Sequence, residues 1–126
     1  MPDASTYRGA FEALDRILNR GGDADEVLRT VVGLLYDLFE HYDWVGISFV
    51  EGDRLVLGPW EGSREVEQPQ MRIPILYEGR VVGELGVDPD PATAFSAEDR
   101  TFVERVALLI APHCLVGWDT GGQPWQ

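Results

Sequence analysis

Few side chains in this sequence are of the types that most often perform chemistry, and those few lie far apart. Cys114 is the single cysteine, so the chain has no second thiol for a disulfide or for a zinc site built from several cysteines. A lone free cysteine is typical of an apolar core position. His41 and His113 have no neighbours at the spacing of metal ligands. The sequence therefore predicts no catalytic residue, no metal site and no cofactor.

Residues 71–88 place side chains of opposite charge on one surface. Apolar residues alternate in two runs, which predicts a β-hairpin with a loop at 77–79. Gly79 falls where such a loop needs a left-handed residue. For the two apolar sets to share one face, Ile75 must lie opposite Val81. On the other face, this register sets Arg72 opposite Glu84 and Gln70 opposite Gly86.

A second pair of strands is predicted at about 44–50 and 55–60, joined by a turn at 51–53. The predicted core face comprises Val45, Ile47, Phe49, Leu55 and Leu57. Setting Phe49 opposite Leu55 brings Trp44 opposite Trp60, and Ser48 opposite Val56, on the other face. Aromatic residues concentrate at interfaces, so a loop or tail of the chain, a second subunit or a small flat ligand could cover the two tryptophans. Arg72 and Glu84 are likewise open to two interpretations, a solvated surface pair or a pair that orients a ligand.

Helical periodicity predicts the elements that support these strands. Two helices precede them, at about 7–20 and 24–39, and a third follows Ser96, which is spaced from Asp99 as a capping pair. The apolar face at 27–39 is wide enough to lie between the sheet and either another helix or a second subunit, and we predict a homodimer through the helices. A short edge strand is expected around Val66. The fold class is therefore α+β, with about five antiparallel strands and helices on one face.

Composition limits the classes of partner and location. The 126 residues form one predicted domain, residues 1–126, with tails at 1–6 and 117–126. A net charge of −12 argues against binding to nucleic acid or to an anionic membrane, because both would repel the chain. The start of the sequence has no signal-peptide pattern, and no apolar stretch is long enough to span a bilayer. We expect a cytoplasmic protein.

Three segments of the sequence resemble a known family. They are YDWVGISFVEGDRLVLGPWEG at 42–62, RIPILYEGRVVGELGVD at 72–88 and FSAED at 95–99. Together they look like a GAF domain, which has a PAS/profilin-like fold, and within that superfamily they are most similar to the free methionine-(R)-sulfoxide reductases. The resemblance covers nearly the whole chain and implies a GAF-like sheet with a ligand pocket on the face away from the helices.

The departures from that family concern its chemistry. The resembling reductases carry a long segment with catalytic cysteines where this chain has only residues 61–70. Sulfoxide reduction of this kind needs a thiolate nucleophile and a second thiol, so the departure predicts that this chain is not an enzyme. The pocket positions of the reductases correspond here to Trp44 and Asp88, which are retained, and to Ser48, Gln70 and Gly86, which are replaced.

Three functions are consistent with this reading. The first is a non-catalytic, shortened GAF-like interaction, dimerisation or signalling module. The second is a sensor that binds a small molecule on the open face of the sheet, and the third is a residual sulfoxide reductase. The candidate ligand-binding residues are Trp44, Ser48, Trp60, Gln70, Arg72, Glu84 and Asp88.

Overall fold

A computed structural model describes residues 4–66 and 68–114 of the chain. In chain order these residues form α1 (Ala4–Arg20), α2 (Ala24–Leu38), β1 (Tyr42–Glu51), β2 (Arg54–Gly62), β3 (Met71–Tyr77), β4 (Arg80–Pro89), α3 (Ala97–Ile110) and a 3₁₀ turn (Ala111–His113). The predicted α+β class is confirmed. Residues 4–6, predicted as part of a tail, belong to α1, and the predicted tail at 117–126 lies outside the described residues.

The four strands within these residues form one antiparallel sheet in the order β2-β1-β4-β3. The prediction of about five strands is wrong, because the described residues around Val66, between β2 and β3, form no strand. The reason is topological. Since β2 and β3 are opposite edges of the sheet, the connection between them has to cross a face of the sheet and cannot extend an edge.

The three helices pack against one another and against one face of the sheet, which we call the inner face. α2 lies against β1 and β2, α3 lies mainly against β3, and α1 packs on α2 and α3. Val45, Ile47 and Phe49 point into this layer and are fully buried, as the alternation of β1 predicts. The opposite face of the sheet, the outer face, carries no helix among the described residues. No helix in this part of the chain has the length and hydropathy needed to cross a bilayer.

The wide apolar face of α2 is buried against other parts of the same chain. Its inward residues are at most 5% exposed; they are Val27, Leu28, Val31, Val32 and Leu35. Leu38, at 43%, is the exposed large apolar residue of this helix. The width of this face therefore does not argue for a second subunit, and the predicted homodimer needs a different surface.

The β3–β4 hairpin differs from its predicted register. Its turn has two residues, 78–79, both with positive φ, a conformation that matches the twist of paired strands. Ile75 lies opposite Gly83 and not opposite Val81, because the turn is one residue shorter than predicted and an irregularity between Ile75 and Leu76 shifts the register by one further residue. As a result Val82 is buried and Val81 is exposed, the reverse of the prediction. The same register sets Gly86, not Glu84, opposite Arg72.

The β1–β2 hairpin is also shifted from its predicted register. Glu51 and Arg54 form the last pair, so the turn has only two residues, with Gly52 at φ +69°. Leu55 therefore lies opposite Val50 and not opposite Phe49. A slip of one residue turns a whole strand segment over, and Leu55 and Leu57 point to the outer face, where they are 41% and 42% exposed. Trp60, predicted opposite Trp44, lies opposite Gly46.

A buried carboxylate joins the helices to the sheet. At the start of α3, Ser96 and Asp99 form the predicted capping box. The Oδ2 atom of Asp99 accepts hydrogen bonds from the backbone N of Ser96 at 2.9 Å and from its Oγ at 3.1 Å. Oδ1 accepts hydrogen bonds from the Tyr7 hydroxyl of α1 and the Tyr42 hydroxyl of β1, and it contacts His41 Nε2, each at 2.9 Å. An ionised carboxylate only accepts, so Nε2 of His41 donates here.

Removing the charge of Asp99 should destabilise the protein strongly. An asparagine offers a single acceptor oxygen to donors that now share two, and a buried donor left without an acceptor costs about 1–3 kcal/mol. We expect Asp99→Asn to lower the free energy of unfolding by roughly 2–4 kcal/mol in urea titrations. The matched control is Asp25→Asn, which breaks an exposed pair with Arg29 and should change stability by less than about 0.5 kcal/mol. Equal losses in the two variants would contradict the assignment.

Acid should weaken the fold through the same carboxylate. Burial raises the pKa of Asp99, but the hydrogen bonds from Ser96, His41, Tyr7 and Tyr42 outweigh it and hold the pKa below its usual range. An unfolded aspartate titrates at about 3.9, so the stabilisation is complete above that pH and is lost as the pH falls through the lower folded value. The difference in unfolding free energy between wild type and Asp99→Asn should therefore narrow below about pH 4. An unchanged difference at about pH 2 would contradict this account.

Candidate functional site

The centre of the outer face is a floor of glycines under one indole ring. A Cβ atom on Gly46 would collide with the benzene ring of Trp44, and one on Gly62 would lie 2.5 Å from Cδ1 of the same indole. A Cβ on Gly86 would lie 2.6 Å from Cγ of Pro69 and 3.2 Å from Cζ3 of Trp44. These three glycines, from β1, β2 and β4, let the indole lie close against the sheet, and Trp44 is only 2% exposed.

The two tryptophans of the outer face meet, although their strands pair differently from the prediction. The rings of Trp44 and Trp60 are stacked, with centroids 6.2 Å apart and 24° between their planes. The indole Nε1 of Trp44 is buried and meets no hydrogen-bond acceptor in the described part of the chain. Buried donors are almost always paired, so this N–H is an exception among the buried side-chain groups of the described residues.

The connection between β2 and β3, described at residues 63–66 and 68–70, lies over the outer face and is fastened at both ends. Ser63 Oγ donates to the carboxylate of Asp43 at 3.0 Å. Arg64 Nη2 donates to Asp88 Oδ2 at 3.1 Å, and its Nε lies 3.9 Å from Asp43. The backbone N of Gln70 donates to Asp88 Oδ1 at 2.8 Å. Both oxygens of Asp88 are therefore occupied in holding this connection, which we call the cover.

A cavity of about 430 Å³ lies between the cover and the sheet. Its walls come from all four strands and from the cover; they are Trp44, Gly46, Ser48, Leu55, Leu57, Glu65, Val66, Gln68, Pro69, Arg72, Glu84 and Gly86. Small-molecule sites typically have volumes of about 300–1,000 Å³ and mostly apolar walls. The structure therefore provides a covered site of ordinary size for a small ligand.

Four of the seven predicted ligand-binding residues line this cavity: Trp44, Ser48, Arg72 and Glu84. The other three have different positions. Trp60 stacks on Trp44, while Gln70 and Asp88 fasten the cover. Leu55 and Leu57 were missed because the predicted register turned them inward. The Gly52-Asp53 dipeptide is typical of a two-residue hairpin turn, and a two-residue turn places both leucines on the outer face.

The charged pair of the cavity forms diagonally across β3 and β4. Arg72 Nε lies 2.9 Å from Glu84 Oε1, although the backbone partner of Arg72 is Gly86 and that of Glu84 is Pro74. The hydrogen bond with Glu84 raises the pKa of Arg72 above its already high ordinary value. Arg72 therefore stays positively charged and, at the cavity wall, can meet the anionic end of a ligand.

The thiol and the histidines lie outside this cavity. Cys114 is buried in the core, where its Sγ donates to the Ile110 carbonyl at 3.4 Å, and burial raises its pKa to about 12. His41 is bound to Asp99, and burial lowers the pKa of His113. Within residues 4–66 and 68–114, no three His, Cys, Asp or Glu side chains converge as a metal site would require.

Comparisons with known proteins find similar folds and no close relative. No protein-family model matches the chain, and no curated protein does. A solved structure from Burkholderia vietnamiensis, assigned to the GAF sensors, is 18% identical over 90% of this chain and 96% of its own, with a TM-score of 0.78. The free methionine-R-sulfoxide reductase of Neisseria meningitidis, in complex with its substrate, is 16% identical over 90% and 92%, with a TM-score of 0.75.

A third structure, the GAF domain of a phosphoenolpyruvate-protein phosphotransferase from Coxiella burnetii, gives a TM-score of 0.76 at 13% identity, over 89% of this chain and 94% of its own. The chain has the GAF fold. This confirms, for the fold, the resemblance drawn from the three sequence segments. At such identities the likeness extends to the fold alone. Any ligand of the cavity therefore has to be inferred from the residues that line it in this chain.

The glycine floor can be tested by adding single methyl groups. We expect Gly46→Ala to displace the Trp44 indole and Gly86→Ala to displace both Pro69 and the indole. Each variant should be destabilised by roughly 1–3 kcal/mol, as overpacking does, and should shift tryptophan emission to longer wavelength. The matched control is Gly33→Ala in α2, where an added Cβ meets nothing within 4 Å and should stabilise the helix by about 0.5–1 kcal/mol. Wild-type stability and emission in both floor variants would contradict the proposed packing.

Proposed function

We propose that this chain is a sensor module of GAF fold that binds a small molecule in the outer-face cavity and catalyses no reaction on it. The observation that carries the proposal is the covered cavity, whose lining combines the Trp44 ring and apolar side chains with the charged pair of Arg72 and Glu84.

The walls of the cavity suggest the kind of ligand. Leu55, Leu57, Val66 and Pro69 offer apolar contact, and the indole of Trp44 offers a flat surface. Arg72 and Glu84 add one positive and one negative group at the same wall. A compact ligand with an apolar or flat body and at least one charged group fits this combination. Single amino acids and nucleotides have that character.

Similar structures support a role in binding small molecules. The Burkholderia protein is assigned to the GAF sensors, and the Neisseria free methionine-R-sulfoxide reductase was solved in complex with its substrate. We extend only the use of the fold, as a container for a small molecule, to this chain. The acidic composition and the single thiol fit a cytoplasmic location, which we propose with the function.

The absence of catalysis is proposed from the position of the thiol. Sulfoxide reduction by cysteine needs a thiolate and a resolving thiol, and this chain has one cysteine. Cys114 belongs to the inner core, and burial raises its pKa to about 12, so at neutral pH it is a protonated thiol on the side of the sheet away from the cavity. Its surroundings are those of a small apolar core residue.

A role as an interaction module is a second candidate function. It is favoured by a different observation, an open groove between α1 and α3, and it is compatible with the sensor role because the groove lies in the helical layer.

A thermal-shift screen with amino acids, nucleotides and tetrapyrroles tests the sensor function. A ligand at about 100 times its Kd should add about 2.7 kcal/mol of stability, which raises Tm by several degrees. Arg72→Gln should reduce the shift given by a charged ligand. Arg29→Gln removes an equivalent charge from the exposed side of α2 and should leave the shift unchanged.

Two results would contradict this proposal. If no class of ligand raises Tm, or if Arg29→Gln reduces the shift as much as Arg72→Gln, the cavity is not the binding site. Turnover of free methionine sulfoxide with dithiothreitol, above a blank without protein, would contradict the absence of catalysis. Turnover that survives Cys114→Ser would further exclude the thiol as its source.

A further inference from the structure

The outer face carries exposed apolar side chains next to the cavity. Six large apolar side chains of the described residues are at least 41% exposed, and four of them belong to this face; they are Leu55, Leu57, Leu76 and Val81. Contiguous exposed apolar surface commonly marks a binding site. The sensor function proposed above uses only the cavity, which Leu76 and Val81 do not line.

Strand pairing sets most of these side chains in one row across the sheet. Leu55 of β2 lies opposite Val50 of β1, and Leu76 of β3 lies opposite Val81 of β4. Because β1 and β4 are neighbours, the two pairs adjoin. Neighbouring strands are about 4.8 Å apart, so the row is roughly 14 Å wide. We call this row, Val50, Leu55, Leu76 and Val81, the apolar strip.

The cover leaves the apolar strip open. β1 and β3 run in the same direction, since each is antiparallel to β4, and the turns at 52–53 and 78–79 therefore lie at one end of the sheet. The strip lies at that end, whereas the cover is fastened to Asp43 and Asp88 at the other. Leu55 belongs to the strip and also lines the cavity, next to Leu57. The cavity therefore continues into the strip along β2 over apolar side chains.

Arg72 is the cationic group of this continuous surface. Its Nε donates to Glu84 Oε1 at 2.9 Å, and its side chain is 47% exposed. Its two terminal NH₂ groups make no hydrogen bond within the described residues, so they can bind a carboxylate in the bidentate way that a guanidinium favours. Arg72 and Leu76 are four residues apart in β3, about 13 Å along the strand. A cation and an apolar strip are thus separated by a distance that a medium-length aliphatic chain can span.

We propose that the ligand of this chain is an anionic amphiphile, a small carboxylate with a medium-length aliphatic chain. Its head lies in the cavity against Arg72, and its chain leaves the cavity and lies along the apolar strip. This inference rests on the proposed sensor function and names the class of ligand that the cavity takes. The strip consists of four residues, whereas a stable protein interface uses about 20–30 residues on each side. Its size therefore suits a single aliphatic chain.

Calorimetric titration with butanoate, hexanoate, octanoate and decanoate tests the aliphatic part of the ligand. At 0.15 M salt the Debye length is about 8 Å, which limits repulsion of these anions by the acidic residues elsewhere in the chain. Affinity should rise about two- to fourfold with each added methylene group. The heat-capacity change of binding should become more negative with chain length, because more apolar surface is buried. Each compound is used below the concentration at which it forms micelles.

Variants of the apolar strip separate it from the cavity. Leu76→Thr and Val81→Thr change residues that do not line the cavity. Each should weaken octanoate binding roughly three- to tenfold and leave butanoate binding unchanged. The matched control, Leu108→Gln, changes an exposed leucine of α3 and should affect neither compound. Circular dichroism checks that each variant is folded.

Arg72→Gln tests the head group. It should weaken every carboxylate of the series roughly tenfold, whatever the chain length, because charge-assisted hydrogen bonds are lost. Arg29→Gln, on the exposed side of α2, is the control and should leave all affinities unchanged. N-octanoylglycine, titrated beside octanoate, distinguishes an acylated amino acid from a free fatty acid as the source of this chemistry, since the tighter binder carries the head group that fits the cavity.

Several outcomes would overturn the amphiphile. Affinities that do not change with chain length, or a Leu108→Gln variant that binds octanoate as weakly as Leu76→Thr does, would exclude the strip as a binding surface. The sensor function would still stand if a compact ligand from the wider screen raised Tm, whereas both proposals fail if no compound of either set binds. A change in molecular mass in solution on Leu76→Thr would make the strip a protein contact and would also overturn this inference.

Discussion

The buried carboxylate of Asp99 is the interaction on which the arrangement of the layers depends. It is fully buried, and its partners come from α1, the start of β1 and the residue before α3. A buried charge with donors missing is strongly destabilising, so the helices and the first strand have to reach their positions together. The hydrogen bonds of Asp99 place α1 beside α3 in the helical layer. They also anchor β1, whose outward side chains form part of the outer face.

The outer face depends on a different constraint, which is the sheet order. Because β2 and β3 are the two edges, the cover has to pass over β1 and β4, and the glycines of those strands leave room for Trp44 beneath it. The carboxylates of Asp43 and Asp88 then hold the two ends of the cover. A sheet with β2 and β3 as neighbours would need only a short turn between them, and its outer face would have no cover.

Much of the fold could be predicted from local patterns. The alternation in β1 gave the correct inner face, and Ser96 with Asp99 gave the correct start of α3. Both hairpin registers were wrong, because each depends on whether a turn has two or three residues and on an irregularity farther along the strand. The periodicity of apolar residues carries no information about the length of a turn or about an irregularity within a strand. Four candidate site residues line one cavity because alternation and the family resemblance place them on one face, and that placement does not require the correct register.

The contacts that could not be predicted join residues far apart in the chain. Tyr7 and Asp99 are 92 positions apart, and His41 and Asp99 are 58 apart. No spacing rule relates them, and each side chain taken alone resembles an ordinary surface or core residue. The same is true of Asp88, whose two oxygens hold the cover. Its retention at a family pocket position suggested a contact with ligand, whereas its partners make it a structural anchor.

Because both ends of the cover are anchored, the size of the cavity can change without changing the stability of the sheet. Ser63 and Gln70 are each fixed beside a strand that belongs to the sheet, so residues added between them would lengthen only the arch above the cavity. Closing a loop of twice the length costs only about 0.6 kcal/mol more. Cavity volume in this architecture is therefore adjustable through a single segment, and grafting longer covers onto this small scaffold offers a route to engineered receptors for larger ligands.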